Sequence, residues 1–506
     1  MSENTPPDNL NLQPNRAGAT RPSPHHQEHP GNACTRTEKT SATPSKLLAT
    51  VAAGDGSSSP QSAPDEHPTE PQSSSSRRRY RLGSHLGSEV RAFVSLPLEL
   101  QLLLVTQMLF NVGFYLVVPF LANYMTDSLA ASGVMVGFVL GLRTFSQQGL
   151  FFVGGGLADR FGIKPVLLTG VAIRVAGFVL AGLSNSIETL ILAVILIGFA
   201  AALFSPAAEA AFAVRGAQLE KAGGIPRSQL FAMDVFFSRV GALTGPLLGA
   251  ALIEQGFHIT CFVAAGIFAF LFFSHLLVVP HVDTTTQQQS VLAGFARVLK
   301  HKEFVLFALA YSTGLVAYNQ QYLSLPTELQ RATGSKTALG WMFVYSSILI
   351  LVLQLPIARL ARRIGTMPSI AIGFALQALG FAVVAISATF YHPAGFGALA
   401  PALFMLTLLH TGQMLAVPTS RDVVGIVAGE KNLGSYYGFL NSFGGLAVLL
   451  SSLVVGELLD YAEITGIPAA APWVVLTALM AASAVAMPRI IATSRTASAK
   501  VQKVSH

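Results

Sequence analysis

Twelve long runs of apolar residues follow one another between Leu98 and residue 489, and each has about the 20-residue length that a helix needs to cross a bilayer. No run alternates steadily between polar and apolar positions, so the pattern favours helices over a membrane barrel. The predicted spans are 98–124, 133–156, 166–184, 188–212, 229–253, 257–279, 303–326, 337–359, 367–388, 396–417, 433–458 and 470–489. The longest interval between them divides six spans from six.

The segments outside the spans complete the predicted domain organisation. Residues 1–94 are rich in Ser, Pro, Thr, His and Gln and show no periodicity, so we expect a disordered cytosolic tail. A six-helix bundle over 95–280, a cytosolic linker over 281–302, a second six-helix bundle over 303–491 and a cytosolic tail over 492–506 should follow. The predicted fold class is an all-α integral membrane protein with twelve transmembrane helices.

Composition and charge agree with a membrane protein. Of the 506 residues, 52% are hydrophobic and only 11% are charged, which is too little charge to cover a soluble protein. Twenty-two Lys and Arg residues fall on one side of the predicted topology, whereas Arg331 and Lys336 fall on the other. This positive-inside bias predicts that both termini and the hairpin at Gly154 are cytosolic. We expect the membrane to be the plasma membrane. The basic residues are dispersed among short loops, so no nucleic-acid partner is expected.

The second half of the chain repeats the first. The segment ARLARRIGTMP, which ends at Pro368, echoes GGLADRFGIKP, which ends at Pro165, at a constant spacing of 203 residues. Arg362 stands where the first copy has Asp159. Six helices followed by six in the same orientation predict two bundles related by a parallel pseudo-twofold axis, the plan of transporters that move two bundles about a central site.

Two motifs carry a family resemblance. The loop GGLADRFGIK resembles the signature loop of the major facilitator superfamily, with Ile163 in place of the first basic residue, and GALTGPLLG in the fifth span looks like the motif of its antiporters. The amino-acid sequence of the first three spans is similar to that of twelve-helix drug:proton antiporters, nearest to the MdtH-like multidrug efflux proteins. The resemblance implies a cytosolic gate formed by Gly155, Asp159, Arg160, Gly162 and Lys164. It also implies an antiporter motif formed by Gly241, Gly245, Pro246 and Gly249.

One departure from that family concerns proton coupling. Its antiporters often carry an arginine four residues before a glycine of the fourth span, but here Val194 precedes Gly198. Coupling therefore cannot be assigned to that position.

The resemblance places Asp159 near the start of the eleventh span, around Leu433. A carboxylate at a helix N-terminus is stabilised by the unpaired amides and the helix dipole. We expect this contact to latch the two halves on the cytosolic side, and a generic topological anchor is the alternative. Glycines at four-residue spacing in the second and fifth spans predict grooves for neighbouring helices, whether or not the fifth-span motif also has a specific role in antiport.

Polar and aromatic residues at helical spacing mark a candidate substrate cavity. Such a wall suits small amphipathic organic compounds, including cations that sit over Tyr or Phe rings, although ordinary packing explains any single residue equally well. His410 could also titrate in the physiological range. The candidate cavity residues are Gln107, Asn111, Tyr115, Arg143, Gln147, Tyr318, Asn319, Tyr322, His410 and Gln413.

Charged residues within the spans indicate further candidates. Arg143, Arg174 and Arg239 would each cost ~2.5 to 3.5 kcal/mol facing lipid, so they should face protein or water. Asp234 and Glu209 are the acids of the first half best placed to accept a proton, with Arg239 as a third coupling candidate. We expect Asp234 and Arg239 to find partners on other helices, and structural ion pairs are as good an explanation as coupling.

The leading functional hypothesis is a monomeric secondary exporter of small organic compounds, with protons and the bilayer as its other partners. An importer or facilitator on the same fold and a non-transporting receptor or scaffold are the alternatives. No GxxxxGK[ST] loop is present, which disfavours ATP-driven pumping. We expect no enzyme activity, no cofactor and no metal site.

Overall fold

The computed structural model describes residues 93–225, 227–278, 296, 298–334, 338–390, 395–427, 433–462 and 467–504. The expected N-terminal tail, apart from residues 93 and 94, and most of the expected linker over 281–302 lie outside these residues.

Twelve long helices follow one another along the described part of the chain. The first half contains α1 (Leu98–Leu129), α2, α3 (Ile163–Leu183), α4 (Ile187–Lys221), α5 (Arg227–Ile253) and α6 (Phe257–Val278). The second contains α7 (Lys302–Thr333), α8 (Leu339–Ile364), α9 (Thr366–Phe390), α10 (Ala400–Val427), α11 (Leu433–Tyr461) and α12 (Ile467–Val504). The helix α2 comprises an α-helical segment Gly133–Thr144, a π-helical turn Phe145–Gly149 and an α-helical segment Phe151–Phe161.

Ten helices of the described chain are long and apolar enough to cross a membrane. The helices α2 and α7 are outside that set for two different reasons. The π-helical turn divides α2 into pieces of 12, 5 and 11 residues, and α7 buries polar side chains that include Asn319, Gln320 and Gln321. Because polar groups at membrane depth must face protein or water, the polar residues of α7 should lie in the interior of the bundle.

Equivalent helices pack alike in the two halves. The helix α1 packs against α5, and α3 against α4 and α6, while α7 packs against α11, and α9 against α10 and α12. Between the halves, α2 packs against α11 and α5 against α8. The turns after α2 and α8 also match, because Gly162 and Gly365 both have φ of 86°. This arrangement confirms the predicted all-helical fold with a parallel repeat.

Several helices extend beyond the predicted spans. The helix α1 ends at Leu129 rather than 124, α7 at Thr333 rather than 326, and α12 at Val504 rather than 489. The apolar pattern reports only the part of a helix that lies in the bilayer, whereas its backbone hydrogen bonds continue into the polar ends until a cap stops them. Ala130 ends α1 and Gly334 ends α7, both in the left-handed conformation.

Candidate functional site

A cavity of about 260 Å³ lies between the two halves, near the middle of the helices. Its walls come from α1, α2, α3, α4 and α7. Side chains with hydrogen-bonding groups alternate around it with aromatic rings. The lining residues are Gln107, Phe110, Asn111, Phe114, Tyr115, Arg143, Thr144, Gln147, Gln148, Arg174, Ser205, Leu315, Tyr318, Asn319 and Tyr322.

Most of the predicted cavity residues meet in this space. Of the ten, eight line the central cavity, and the exceptions are Gln413 and His410. Gln413 lines a neighbouring cavity of about 130 Å³, which shares Tyr318 and Gln148 with the first. There the Gln413 amide donates to the Gly314 carbonyl at 2.7 Å and to Gln377 Oε1 at 2.8 Å.

His410 lies in neither cavity wall as described. It is buried, its ring centre lies 6.2 Å from that of Tyr318, and its Nε2 atom has no hydrogen-bond partner among the described residues. His410 and Gln413 are three residues apart on α10, but only the part of α10 from Gln413 onwards lines a cavity. His410 therefore packs against Tyr318 and does not itself line the central cavity.

The centre of the cavity is marked by two tyrosines at equivalent positions of the repeat. Tyr115 of α1 and Tyr318 of α7 are 203 residues apart, and their hydroxyl groups form a hydrogen bond at 3.3 Å. Tyr322 packs edge-on against Tyr318 at 6.1 Å and stacks on Phe343 at 5.3 Å. A direct contact between repeat-equivalent residues places them on the pseudo-twofold axis that relates the two halves.

Arg143 reaches the cavity from α2. It is 6% exposed, and its Nη2 atom donates to Thr144 Oγ1 at 3.1 Å. The guanidinium lies 4.9 Å from the centre of the Phe114 ring. Within the described residues it takes part in no ion pair.

Arg174 reaches the same cavity from α3 and is 1% exposed. Its Nη1 atom donates to the Ile197 carbonyl at 3.3 Å, and its guanidinium lies 4.0 Å from the centre of the Phe110 ring. Phe178 and Phe268 surround it at 5.5 and 5.0 Å. Two of the aromatic faces that a bound cation could have used, those of Phe110 and Phe114, are thus already covered by the protein's own arginines.

None of the predicted coupling residues, Asp234, Glu209 and Arg239, is among the lining residues of either cavity. Glu209 is exposed on α4, and one carboxylate oxygen of Asp234 on α5 is buried without a hydrogen-bond partner in the described chain. The two carboxylates are electrostatic neighbours, and Glu209 also interacts with Arg421. Asp234 and Arg239 are expected to find partners on other helices. Arg239 interacts electrostatically with Tyr115 of α1 and His410 of α10, and neither Asp234 nor Arg239 takes part in a described ion pair.

The helices α2 and α11 meet along a seam of small residues. Gly133 packs against the backbone of Gly456, Gly137 against that of Ser452, and Gly141 has Leu449 Cα at 2.9 Å from the position that a Cβ atom would take. The predicted groove in the second span is therefore confirmed, and its occupant is a helix of the other half. We use "distal end" for the end of the bundle at which α1 ends and α2 begins; the other end is proximal.

A carboxylate reinforces this seam at the distal end. Asp460, at the end of α11, accepts hydrogen bonds from the backbone amides of Gly133 and, at 3.4 Å, of Val134. These amides belong to the first turn of α2, where the helix dipole also favours a negative charge. The contact joins the two halves across 327 residues of sequence and holds their distal ends together.

The glycines of the fifth-span motif pack as predicted, against α1. Gly241 contacts the backbone of Met108, Gly245 has Tyr115 Cβ at 2.7 Å from an added Cβ atom, and Gly249 has Leu116 O at 2.9 Å. Pro246 lies at the contact between α5 and α8, where its carbonyl is 3.7 Å from an added Cβ at Gly340. The motif therefore positions Tyr115 and also lies at an interface between the halves.

The gate residues lie at the proximal end, around the turn between α2 and α3. Gly154 packs on the Ala202 backbone of α4, whereas a Cβ atom added at the predicted gate residue Gly155 would meet only Pro206 Cβ at 4.0 Å. Gly162 ends the helix with φ of 86°, and Lys164 Nζ donates to the Leu276 carbonyl of α6 at 3.2 Å. Arg160 is exposed over the Phe161 ring at 5.2 Å. The side chain of Asp159 lies outside the described residues, so its predicted contact with α11 stays a prediction.

Several lining residues were missed from the sequence, and the π-helical turn explains one of them. Gln147 and Gln148 are adjacent, yet both line the central cavity, because the wider turn brings neighbouring side chains to one face. The turn is held by Ser442 of α11, whose hydroxyl donates to the Gly149 carbonyl at 2.9 Å. Phe110 lies three residues after Gln107, and Thr144 lies three residues before Gln147, so helical spacing could have found both. Ser205 carries no such signal.

Comparison with known proteins places the chain in a family. The family model described as Major Facilitator Superfamily matches residues 103–452. An uncharacterized MFS-type transporter of Mycobacterium tuberculosis is 34% identical over 377 residues, which cover 72% of this chain and 86% of that protein. The multidrug resistance protein MdtH of Aeromonas hydrophila is 30% identical over 366 residues, covering 72% of this chain and 88% of MdtH.

Solved structures show the same fold at lower identity. The nucleoside transporter NupG superposes with a TM-score of 0.63 and 17% identity over 78% of this chain and 99% of its own. The POT family transporter PepTSo superposes with a TM-score of 0.64 and 14% identity over 79% of this chain and 99% of its own. At these identities the likeness concerns the fold alone.

Proposed function

Because this chain belongs to the Major Facilitator Superfamily and is a transporter rather than an enzyme, we propose that it exports small amphipathic organic compounds by proton antiport. The observation that carries the proposal is the central cavity, enclosed by both halves and lined by aromatic rings and hydrogen-bonding groups. Such a wall suits compounds with an apolar body and a polar group. The MdtH proteins, whose name describes multidrug resistance, support export as the direction.

In the proposed cycle the two halves alternate about the cavity. The seam between α2 and α11, with Asp460 on the α2 N-terminus, closes the distal end in the conformation described. Loss of this contact, with closure at the proximal turn through Gly162 and Asp159, would expose the cavity to the other side. Both states share one set of helices, so the change is a movement of one half against the other.

We assign proton exchange to Asp234 and Glu209. Their carboxylates are neighbours on α5 and α4, and Arg421 of the other half interacts with Glu209. Protonation of Glu209 would weaken that attraction between the halves. A proton could thus alter the contact between halves without entering the substrate cavity.

The membrane placement is part of the proposal. The chain is a multi-pass membrane protein, and the excess of Lys and Arg at the proximal end supports a cytosolic location for that end and for both termini. We place it in the plasma membrane as a monomer, with the bundles over 95–280 and 303–491.

Transport in inside-out vesicles tests this function. Vesicles from cells that lack their own efflux pumps, with this chain expressed, should take up a fluorescent amphipathic compound when the lumen is acidified, and release it when a protonophore collapses the gradient. Uptake only under the reversed gradient would establish an importer. The absence of any uptake for a broad panel of compounds would remove the transport proposal and favour a receptor or scaffold.

A further inference from the structure

The charged residues around the central space all carry the same sign. Arg143 and Arg174 line the central cavity, and no Asp or Glu is among its described lining residues. Buried charges in proteins are normally paired or bind an ion, because an uncompensated charge in a low-dielectric interior is costly. The wall of the central cavity therefore supplies no negative partner for Arg143 or Arg174, and a bound ligand could supply one.

Arg143 has hydrogen-bonding capacity to spare. A guanidinium presents five N–H donors, and the described protein supplies Arg143 with a single acceptor, Thr144 Oγ1. Arg174 is more fully held by one carbonyl and three aromatic rings, yet its Nε atom is buried without a partner. The two guanidinium groups also repel one another across the same cavity. A negative group between them would relieve this repulsion.

A third donor lies opposite the arginines. The hydroxyl group of Tyr322, on α7, is buried near the hydroxyl groups of Tyr115 and Tyr318, and it makes no hydrogen bond of good geometry in the described chain. It lines the same cavity as Arg143, and Tyr115 and Tyr318 line the wall with it. One oxyanion could therefore accept from an arginine of the first half and from a tyrosine of the second, while an apolar body packs against the rings.

We infer that the central cavity binds amphipathic organic anions, whose carboxylate or other oxyanion is held by Arg143 in the field of Arg174. This inference rests on the proposed transport function and names its substrate class. Arginine's planar fork fits a carboxylate or phosphate with two parallel hydrogen bonds. Cations are disfavoured by the two buried arginines, and two phenylalanine faces that could attract a cation are already occupied.

Binding to the purified full-length protein tests the inference without any transport. Phenylbutyrate, phenylbutyramide and phenylbutylamine share one apolar body and differ in the charge of the end group. Calorimetry and thermal unfolding should show that the carboxylate binds at least about tenfold more tightly than the amide, and that the amine binds most weakly. Equal or tighter binding of the amine would overturn the inference.

A phosphate-bearing probe separates the two oxyanion classes. Competition of phenyl phosphate with phenylbutyrate would place both at one site; binding of phenylbutyrate alone would restrict the class to carboxylates. Failure of both anions to bind would overturn the inference.

Variants at the arginine locate the binding site. Arg143→Gln should weaken phenylbutyrate binding by about tenfold, and Arg143→Lys, which retains the charge but not the fork, should cause a smaller loss. Arg489→Gln, an exposed arginine at the proximal part of α12, is the matched control and should leave the affinity unchanged. Unaltered affinity in Arg143→Gln would overturn the assignment to Arg143. If that variant does not fold, the comparison of the three probes on the native protein still decides the substrate class.

The binding test and the vesicle test fail independently. Proton-driven uptake of cationic compounds, without binding of the carboxylate, would leave the transport function intact and remove the anion inference. Tight carboxylate binding without gradient-driven movement would do the opposite.

Discussion

Arg143 and Arg174 are unusual for membrane helices, because each buries a cation without a described carboxylate at ion-pair distance. An arginine near the middle of a spanning helix costs ~2.5 to 3.5 kcal/mol on insertion scales. Cation–π contacts with the aromatic rings offset part of that free-energy cost, by roughly 0.5 to 2 kcal/mol for a desolvated cation over a ring. The two residues are therefore best understood as part of the binding space rather than as contributors to stability.

Asp234 supplies a prediction about proton coupling at the residue scale. In the change Asp234→Asn, a side chain of nearly the same shape can no longer take up a proton. We expect gradient-driven efflux to fall by about tenfold or more, with the affinity for substrate changed by less than about twofold. The initial rate of uptake into inside-out vesicles, with and without an acidic lumen, measures this effect.

Asp127 provides the matched control for Asp234. It is an exposed carboxylate at the distal end of α1, and Asp127→Asn should transport at the native rate. Full gradient-driven transport in Asp234→Asn would exclude Asp234 as the proton site.

Gly162 supplies a second prediction, about stability. Its φ of 86° and ψ of 162° lie in a region that is essentially restricted to glycine. Any other residue held in this backbone conformation costs ~1 to 3 kcal/mol. Gly162→Ala should therefore lower the thermal unfolding midpoint of the purified protein. Gly266→Ala on α6, where an added Cβ atom meets nothing within 4 Å, should not. Equal midpoints for the native protein and Gly162→Ala would contradict the assigned strain.

At these single positions the sequence predicts which residues share a helix face, but it does not predict which contacts they make with other helices. Helical spacing brings Gln107, Asn111 and Tyr115 to one wall, because a single regular helix carries all three. The position of His410 was not predictable, since it depends on how α10 is rotated against α7. The donor capacity left open on Arg143 is likewise visible only once its neighbours are known.

At the scale of the element, α2 and α7 show how polarity within a span predicts function. Both carry polar residues that a helix facing lipid would exclude, and both line the central cavity. The sequence predicts the two spans, but not the π-helical turn of α2. That turn depends on the hydrogen bond from Ser442, which is 293 residues away.

Asp460 gives a prediction about the contact between α2 and α11. Asp460→Ala removes the acceptor from the first turn of α2, and an exposed carboxylate that caps a helix in this way contributes ~0.5 to 2 kcal/mol. The distal end should therefore open more often. A reporter cysteine at Thr327, in a chain with Cys34→Ser and Cys261→Ala, should react with a polar maleimide about tenfold faster, because Thr327 lines a distal cavity together with Asp460.

Glu457 is the control on the same helix. It is exposed, lies about one turn before Asp460, and has no described contact with α2, so Glu457→Ala should leave the labelling rate unchanged. A rate in Asp460→Ala that matches this control would show that the carboxylate does not hold the distal end closed.

At the scale of the whole molecule, the repeat explains the position of the cavity. Equivalent helices pack alike in both halves, and the contact of Tyr115 with Tyr318 lies on the axis that relates them. The repeated turn of Gly162 and Gly365 predicts this symmetry from sequence. The distal closure could not be predicted, because Gly133 and Asp460 belong to different halves and lie 327 residues apart in sequence.

The central claim is that the two halves move against one another about the cavity, and distances between paired spin labels test it most directly. In the cysteine-free chain, one pair joins Asn185 and Thr333 at the distal end, and another joins Lys221 and Arg363 at the proximal end; all four are exposed. When a compound that the vesicle assay shows to be transported is saturating and the pH is changed across the range of transport, we predict that the distal distance increases while the proximal distance decreases. Two distances that stay fixed, or that change in the same direction, would contradict alternating access in this protein.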